Sequence, residues 1–159
     1  MNILQKYLII IYICLSLTYG FDLLENRANS EALIPVLIML GFVNISVVAA
    51  FFSKRWIGQL LLYTNFLFVG LIPFVLGVIS LWVNDQRTRN LLKYTSGIIP
   101  LVLLVLSLYV QLRDGNSVDL FALSKSVFYR IIQTIYWVTV FLYSSTHLKP
   151  ELEKIEKKV

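Results

Sequence analysis

From Ala32 to Phe52 the chain runs for 21 residues without one charged side chain. As a helix that stretch is about 31 Å long, close to the roughly 30 Å thickness of a bilayer's hydrocarbon layer. Pro35 lies near its start, where a missing N–H does least harm. Three more stretches share the character: Tyr7 to Leu24, Ile57 to Val83 and Tyr94 to Leu112. Water is the wrong solvent for such a chain. It is 58% hydrophobic and 14% charged, with mean hydropathy +0.76. Soluble domains carry about 45–50% apolar and about 25% charged residues. If one core absorbed all it could, the apolar remainder would still coat the outside and aggregate, unless lipid surrounds it.

The fold class that follows is all-α: a polytopic transmembrane helical bundle over residues 1–112, with four spans at about 7–24, 32–52, 57–83 and 94–112. Residues 113–159 then hold a fifth apolar helix over 127–147, marginal or interfacial, and a short cytoplasmic tail helix over 148–159. Lys6, Thr18 and Gly20 imitate a signal peptide, but the apolar run continues through Phe21, Leu23 and Leu24, as a retained anchor does. Ser53-Lys54-Arg55-Trp56 is too brief for anything but a tight hairpin. The third stretch is longer than a span needs, and Gly70, Pro73 and Gly77 cluster in it, so a tilt or kink is expected there. Asn84 to Lys93 reads as a polar loop, and Pro100 as lying early in the fourth span. Arg113-Asp114-Gly115-Asn116 reads as a turn, with Asp119 capping the helix that follows.

Cations near membrane helices collect on the cytoplasmic side. Four spans with the N-terminus inside put ten Lys and Arg in the cytoplasm and leave Arg27, Arg87, Arg89 and Lys93 outside. Five spans give only eight against six. Charge therefore favours four spans plus a surface or partner-bound helix; both arrangements leave the C-terminus cytoplasmic, at the bacterial inner membrane.

Catalysis inside a bilayer needs positioned ionisable groups. Asp22, near the end of the first stretch, is the one such residue in the four spans, and Glu25 close by marks a membrane surface. Cys14 is the lone cysteine and sits in an apolar run, while His147 is the lone histidine; neither has a partner for metal. No phosphate loop or catalytic triad can be assembled. The expectation is no enzyme, no cofactor and no metal. The net charge of +5 is dispersed between apolar segments, so no direct nucleic-acid binding is expected either.

Polar groups inside the spans, Asn44, Ser46, Gln59, Thr64 and Asn65, are expected to bond across helix interfaces, and secondarily to line an aqueous path. In the tail, Leu148, Leu152, Ile155 and Val159 recur at spacings of four, three and four. That stripe is under two heptads and needs something to dock against: another copy, the fifth helix or a cytoplasmic protein.

The layout of four apolar runs followed by a basic cytoplasmic end resembles KwaA, the small membrane subunit of the bacterial Kiwa anti-phage system. The resemblance implies a homo-oligomeric membrane sensor that recruits a cytoplasmic DNA-binding effector, KwaB; it transfers no residue roles. Two other classes share this outline: a small oligomeric channel or pore-forming effector, and an immunity protein against a pore-forming toxin. Ion flux in liposomes identifies the channel, and a neighbouring toxin gene the immunity protein.

Overall fold

A computed structural model describes residues 1–26, 30–52, 56–114 and 120–156. Among them all regular structure is helical: α1 (Ile3–Asn26), α2 (Ser30–Phe52), α3 (Trp56–Val69), α4 (Leu71–Ile79), α5 (Gln86–Arg113) and α6 (Leu120–Glu156). Three segments are long and apolar enough to cross a membrane: Ile3–Leu24, Leu33–Phe52 and Gln86–Arg113; α3 and α4 qualify only if counted together as one bent span. Their outer faces carry exposed large hydrophobics, such as Ile13, Ile38, Ile45, Val105 and Leu106, which suits membrane insertion.

The fifth helix departs most from its expected place. α6 is one continuous helix of 37 residues, roughly 55 Å long, with Pro150 inside it and no separate tail helix. It packs against α1, α4 and α5, so it is the centre of the bundle. A membrane-surface placement does not fit, because Ile132, Tyr136, Trp137, Val140, Phe141 and Tyr143 are buried core residues. The aromatic side chains of this helix are inside the bundle.

Contacts along α6 give the direction of every neighbour. α1 runs antiparallel to it: Phe21 meets Phe128 edge to face, and the Tyr129 hydroxyl donates to Asp22 at 3.4 Å, while Leu4 and Leu8 at the other end of α1 share a cavity with His147. α5 packs at Gly97 against Thr134 and Val138, and only the six residues 114–119 join its end to α6, so it too is antiparallel. The start of α5 therefore lies at the His147 end.

The third apolar stretch does not run straight through. It breaks at Gly70, and the axes of α3 and α4 differ by 115°. α3 begins beside His147 and ends at Gly70, whose Cα faces Tyr136; a Cβ there would lie 3.0 Å from the Tyr136 hydroxyl. α4 then climbs back, because Gly77 sits against Phe141 and Ser144, one to two turns nearer the His147 end. A Cβ on Gly77 would lie 2.7 Å from the Ser144 Cβ and 3.0 Å from the Phe141 carbonyl, so only glycine permits this approach. The chain enters the bundle, reverses halfway along it and leaves by the same end.

Two local readings change as well. Most of the expected polar loop from Asn84 to Lys93 is the first two turns of α5. Asp85 caps that helix, accepting from the Thr88 amide at 2.9 Å and the Thr88 hydroxyl at 2.8 Å. These bonds hold the Asp85 carboxyl below its ordinary pKa. With α5 starting at Gln86, Pro100 falls in mid-helix rather than early; it removes one backbone bond and is buried with Ser96 and Gly97. Asp119 and the Gly115-Asn116 turn lie outside the described residues.

Candidate functional site

At the His147 end lies a vestibule of about 770 Å³, formed where α1 starts, α2 ends, α3 starts and α6 nears its end. Its rim and walls are apolar: Leu4, Leu8, Ala50, Phe51, Leu60 and Leu148. Asn2, Gln5, Trp56, Gln59, Tyr63, Tyr143 and His147 add hydrogen-bonding groups to its lining.

These polar residues are tied across helices. The Tyr143 hydroxyl of α6 donates to Gln59 Oε1 of α3 at 2.7 Å. The Tyr63 hydroxyl and His147 Nδ1 are hydrogen-bonded at 2.9 Å, again between α3 and α6. Residues 143 and 147 are four apart, hence stacked on one helix face, and their rings lie parallel with centroids 5.3 Å apart. Phe66 and Phe74 extend the aromatic wall behind Tyr63. At the floor of α1, Gln5 Oε1 accepts from the Asn2 backbone N–H at 3.0 Å.

A second, smaller space of about 150 Å³ adjoins the vestibule between α1 and α2. It shares Leu8 and Phe51 with the vestibule and is otherwise lined by Ile9, Tyr12, Val47, Val48 and Phe52. Chemically, the first space offers hydrogen-bonding groups and the second is apolar.

The residues singled out from the sequence divide. Asn65 Nδ2 donates to Ser46 Oγ at 3.2 Å across the α2–α3 interface, and Gln59 crosses to Tyr143, so these three bond between helices. Asn44 and Thr64 do not: each donates to its own helix, to the Leu40 carbonyl at 2.7 Å and the Leu60 carbonyl at 2.9 Å. Of the kink residues, Gly70 is the break itself, Gly77 is the close approach to α6, and Pro73 is buried between them. Leu148 lines the vestibule, while the side chains of Leu152 and Ile155 and all of Val159 lie outside the described residues. Sequence reasoning missed Gln5, Tyr63, Tyr143 and His147 as a group. The 143/147 spacing was visible, but the partners on α3 are 84 residues away in each case.

Comparison with protein-family models, with curated proteins and with solved structures returns no match.

Proposed function

We propose that this chain is a non-catalytic, membrane-embedded subunit of the bacterial inner membrane that senses or anchors there and recruits a cytoplasmic partner. The observation that supports it most is the convergence at one end of the bundle of the vestibule, the N-terminus and the C-terminal end of α6. On this reading α1, α2, α5 and α6 cross the bilayer. α3 and α4 form a re-entrant hairpin that enters and leaves at the vestibule end. Four crossings remain, but the fourth is α6 and not residues 57–83.

Charge supports the assignment. Among the described residues the vestibule end then holds Lys6, Arg87, Arg89, Lys93, Lys149 and Lys154, against Arg113, Lys125 and Arg130 at the other. Six against three supports a cytoplasmic vestibule end on this reading, since cations collect on that side. The marginal hydropathy of α6 is no obstacle. A helix surrounded by α1, α4 and α5 meets protein where an outer helix meets lipid.

The role in anti-phage defence, as a homo-oligomeric sensor of the Kiwa kind that docks a cytoplasmic effector through its basic end, remains part of this proposal. The test is a gentle-detergent pull-down with mass measurement, comparing the full chain with one lacking Glu151 to Val159. Loss of a cytoplasmic protein from the shortened chain is expected; retention of every partner overturns docking through the tail.

A second reading, a small oligomeric channel, is favoured by the reversal at Gly70. Non-helical backbone at membrane depth occurs where it is buried in protein or lines a water-filled cavity. Gly70 is buried, and the Tyr136 hydroxyl and Asn65 Oδ1 nearby have no hydrogen-bond partner among the described residues. Ion flux through the purified protein in liposomes separates the two readings.

A further inference from the structure

We infer that the corner between α4 and α5 binds the headgroup of an anionic phospholipid, held by Arg89 and Lys93 and flanked by Trp82 and Tyr94. The inference rests on α5 crossing the bilayer, as proposed above.

α5 is longer than a crossing requires. Its 28 residues make about 42 Å of helix, whereas the hydrocarbon layer is roughly 30 Å thick. The excess is about 12 Å, a little over two turns. Charge places that excess at the start of the helix: Arg87, Arg89 and Lys93 lie in its first eight positions, and no charged residue follows from Tyr94 to Leu112. Tilting could absorb the extra length, but drawing three cations into hydrocarbon costs more than the mismatch does. The first two turns therefore stand at headgroup depth.

Two aromatic side chains bracket them. Trp82 just before and Tyr94 just after are 70% and 61% exposed. Rings with one polar edge settle at the level of the headgroups, so the cations between them lie at the height of the phosphates. That depth selects a lipid over a soluble polyanion. Leu91, also exposed, gives the acyl chains an apolar contact on the same two turns.

The corner is held by its own backbone. The Trp82 N–H donates to the Ile79 carbonyl at 3.1 Å, closing the turn after α4. Arg89 Nη2 donates to the Val83 carbonyl at 2.9 Å, which ties the guanidinium back to that turn. A guanidinium has five N–H donors, so this one bond orients the group and leaves it able to take phosphate oxygens. Arg89 and Lys93 are four residues apart and hence neighbours on one helix face. Asp85 is the one acid between Trp82 and Tyr94, and its carboxylate is engaged by the Thr88 amide and hydroxyl. Three cations against one anion leave the corner positive.

The test is native mass spectrometry of the full-length protein in detergent. The probes are phosphatidylglycerol, phosphatidylcholine with the same acyl chains, and glycerophosphoglycerol, the headgroup alone. Phosphatidylglycerol is expected to bind tighter than phosphatidylcholine. Arg89→Gln and Lys93→Gln are each expected to weaken it about fivefold, the worth of one cation near an anionic surface, with phosphatidylcholine binding unchanged. Arg89→Gln also removes the bond to Val83, so Lys93→Gln reads the charge by itself. Arg113→Gln, at the far end of the same helix, is expected to change neither lipid. Equal affinity for the two lipids, full phosphatidylglycerol affinity in both corner variants, or an equal loss in Arg113→Gln overturns the inference. So does binding of the headgroup alone as tightly as the lipid, which would make the ligand a soluble phosphate. Detergent leaves both ends of the bundle open to the probes, so an inverted membrane orientation would not produce these failures.

Discussion

α5 and α6 lie side by side, yet only α5 holds a stretch apolar enough to count as a membrane span. α5 is apolar and turns Leu101, Val102, Val105, Leu106 and Val110 outward. α6 carries Arg130, Gln133, Thr134, Thr139, Ser144 and His147, yet buries Tyr136, Trp137, Val140 and Tyr143 in the core. The difference lies in what each side chain touches. A helix facing lipid has no partner for a hydroxyl or amide, so it must be apolar. A helix enclosed by others can keep them, because its own turns and its neighbours supply acceptors: Thr139 returns to the Ile135 carbonyl at 2.7 Å, and Tyr143 reaches Gln59. A search for apolar spans therefore finds the outer helix and passes over the central one.

The sharpest way to break this comparison is to ask which helices cross. In a Cys14→Ala background, Arg87→Cys and Arg113→Cys place thiols at the two ends of α5, both at exposed positions. With α3–α4 re-entrant, a membrane-impermeant maleimide added outside the cell labels position 113 and not 87. The reversed pattern would carry α5 through the bilayer in the other direction, as a broken α3–α4 span or an inverted bundle does, and would overturn the proposed topology.

Next in size is the contact that turns α4 back along α6. Gly77→Ala forces a Cβ onto the Phe141 backbone and Ser144 and is expected to cost about 1–3 kcal/mol, with a matching drop in thermal midpoint in detergent. Gly41→Ala meets nothing within 4 Å and is expected to be neutral or to stabilise by about 0.5–1 kcal/mol. Equal effects would mean that α4 does not lie against α6.

Smaller again is the difference between the two intramembrane asparagines. Asn65 bonds across to Ser46, while Asn44 bonds within its own helix. Asn65→Leu is expected to destabilise by about 0.6–2 kcal/mol, the worth of an interhelical bond in a membrane, and Asn44→Leu by less. A double-mutant cycle with Ser46→Ala isolates the pair; zero coupling would remove Asn65 from the set of cross-helix contacts.

These contrasts also explain what the sequence could disclose. The long uncharged runs announce helices and a membrane environment, since both follow from local composition. Gly70, Pro73 and Gly77 announce a weak point, but the direction of the bend depends on Ser144 and Phe141, more than sixty residues further on. The cation count is lopsided for either set of hairpins, so it could not tell α3–α4 from α6 as the fourth crossing. Gln59 was recognisable as a polar group needing a partner. Tyr143 and His147 were not recognisable as that partner and its neighbour, because a one-turn spacing of aromatic residues fits a membrane interface equally well.

The least conspicuous misreading was Asp85, whose surroundings, Asn84, Gln86, Arg87 and Arg89, are polar enough to pass for a loop. The Asp85 carboxylate accepting the Thr88 amide and hydroxyl makes those residues the start of α5. Because these bonds favour the ionised form, the folded carboxyl has a lower pKa than the unfolded one. Its contribution is then present above the ordinary carboxylate range, near pH 4, and is lost as pH falls through the depressed folded value. Hydrogen exchange at the Thr88 amide is the measurement. After correction for intrinsic rates, protection is expected to decline with acid in the wild type. Asp85→Asn keeps an acceptor but cannot titrate, so its protection should stay flat over the same range. A parallel decline in both proteins would mean that acid loosens this end of α5 through another group, and that Asp85 is not what starts the helix.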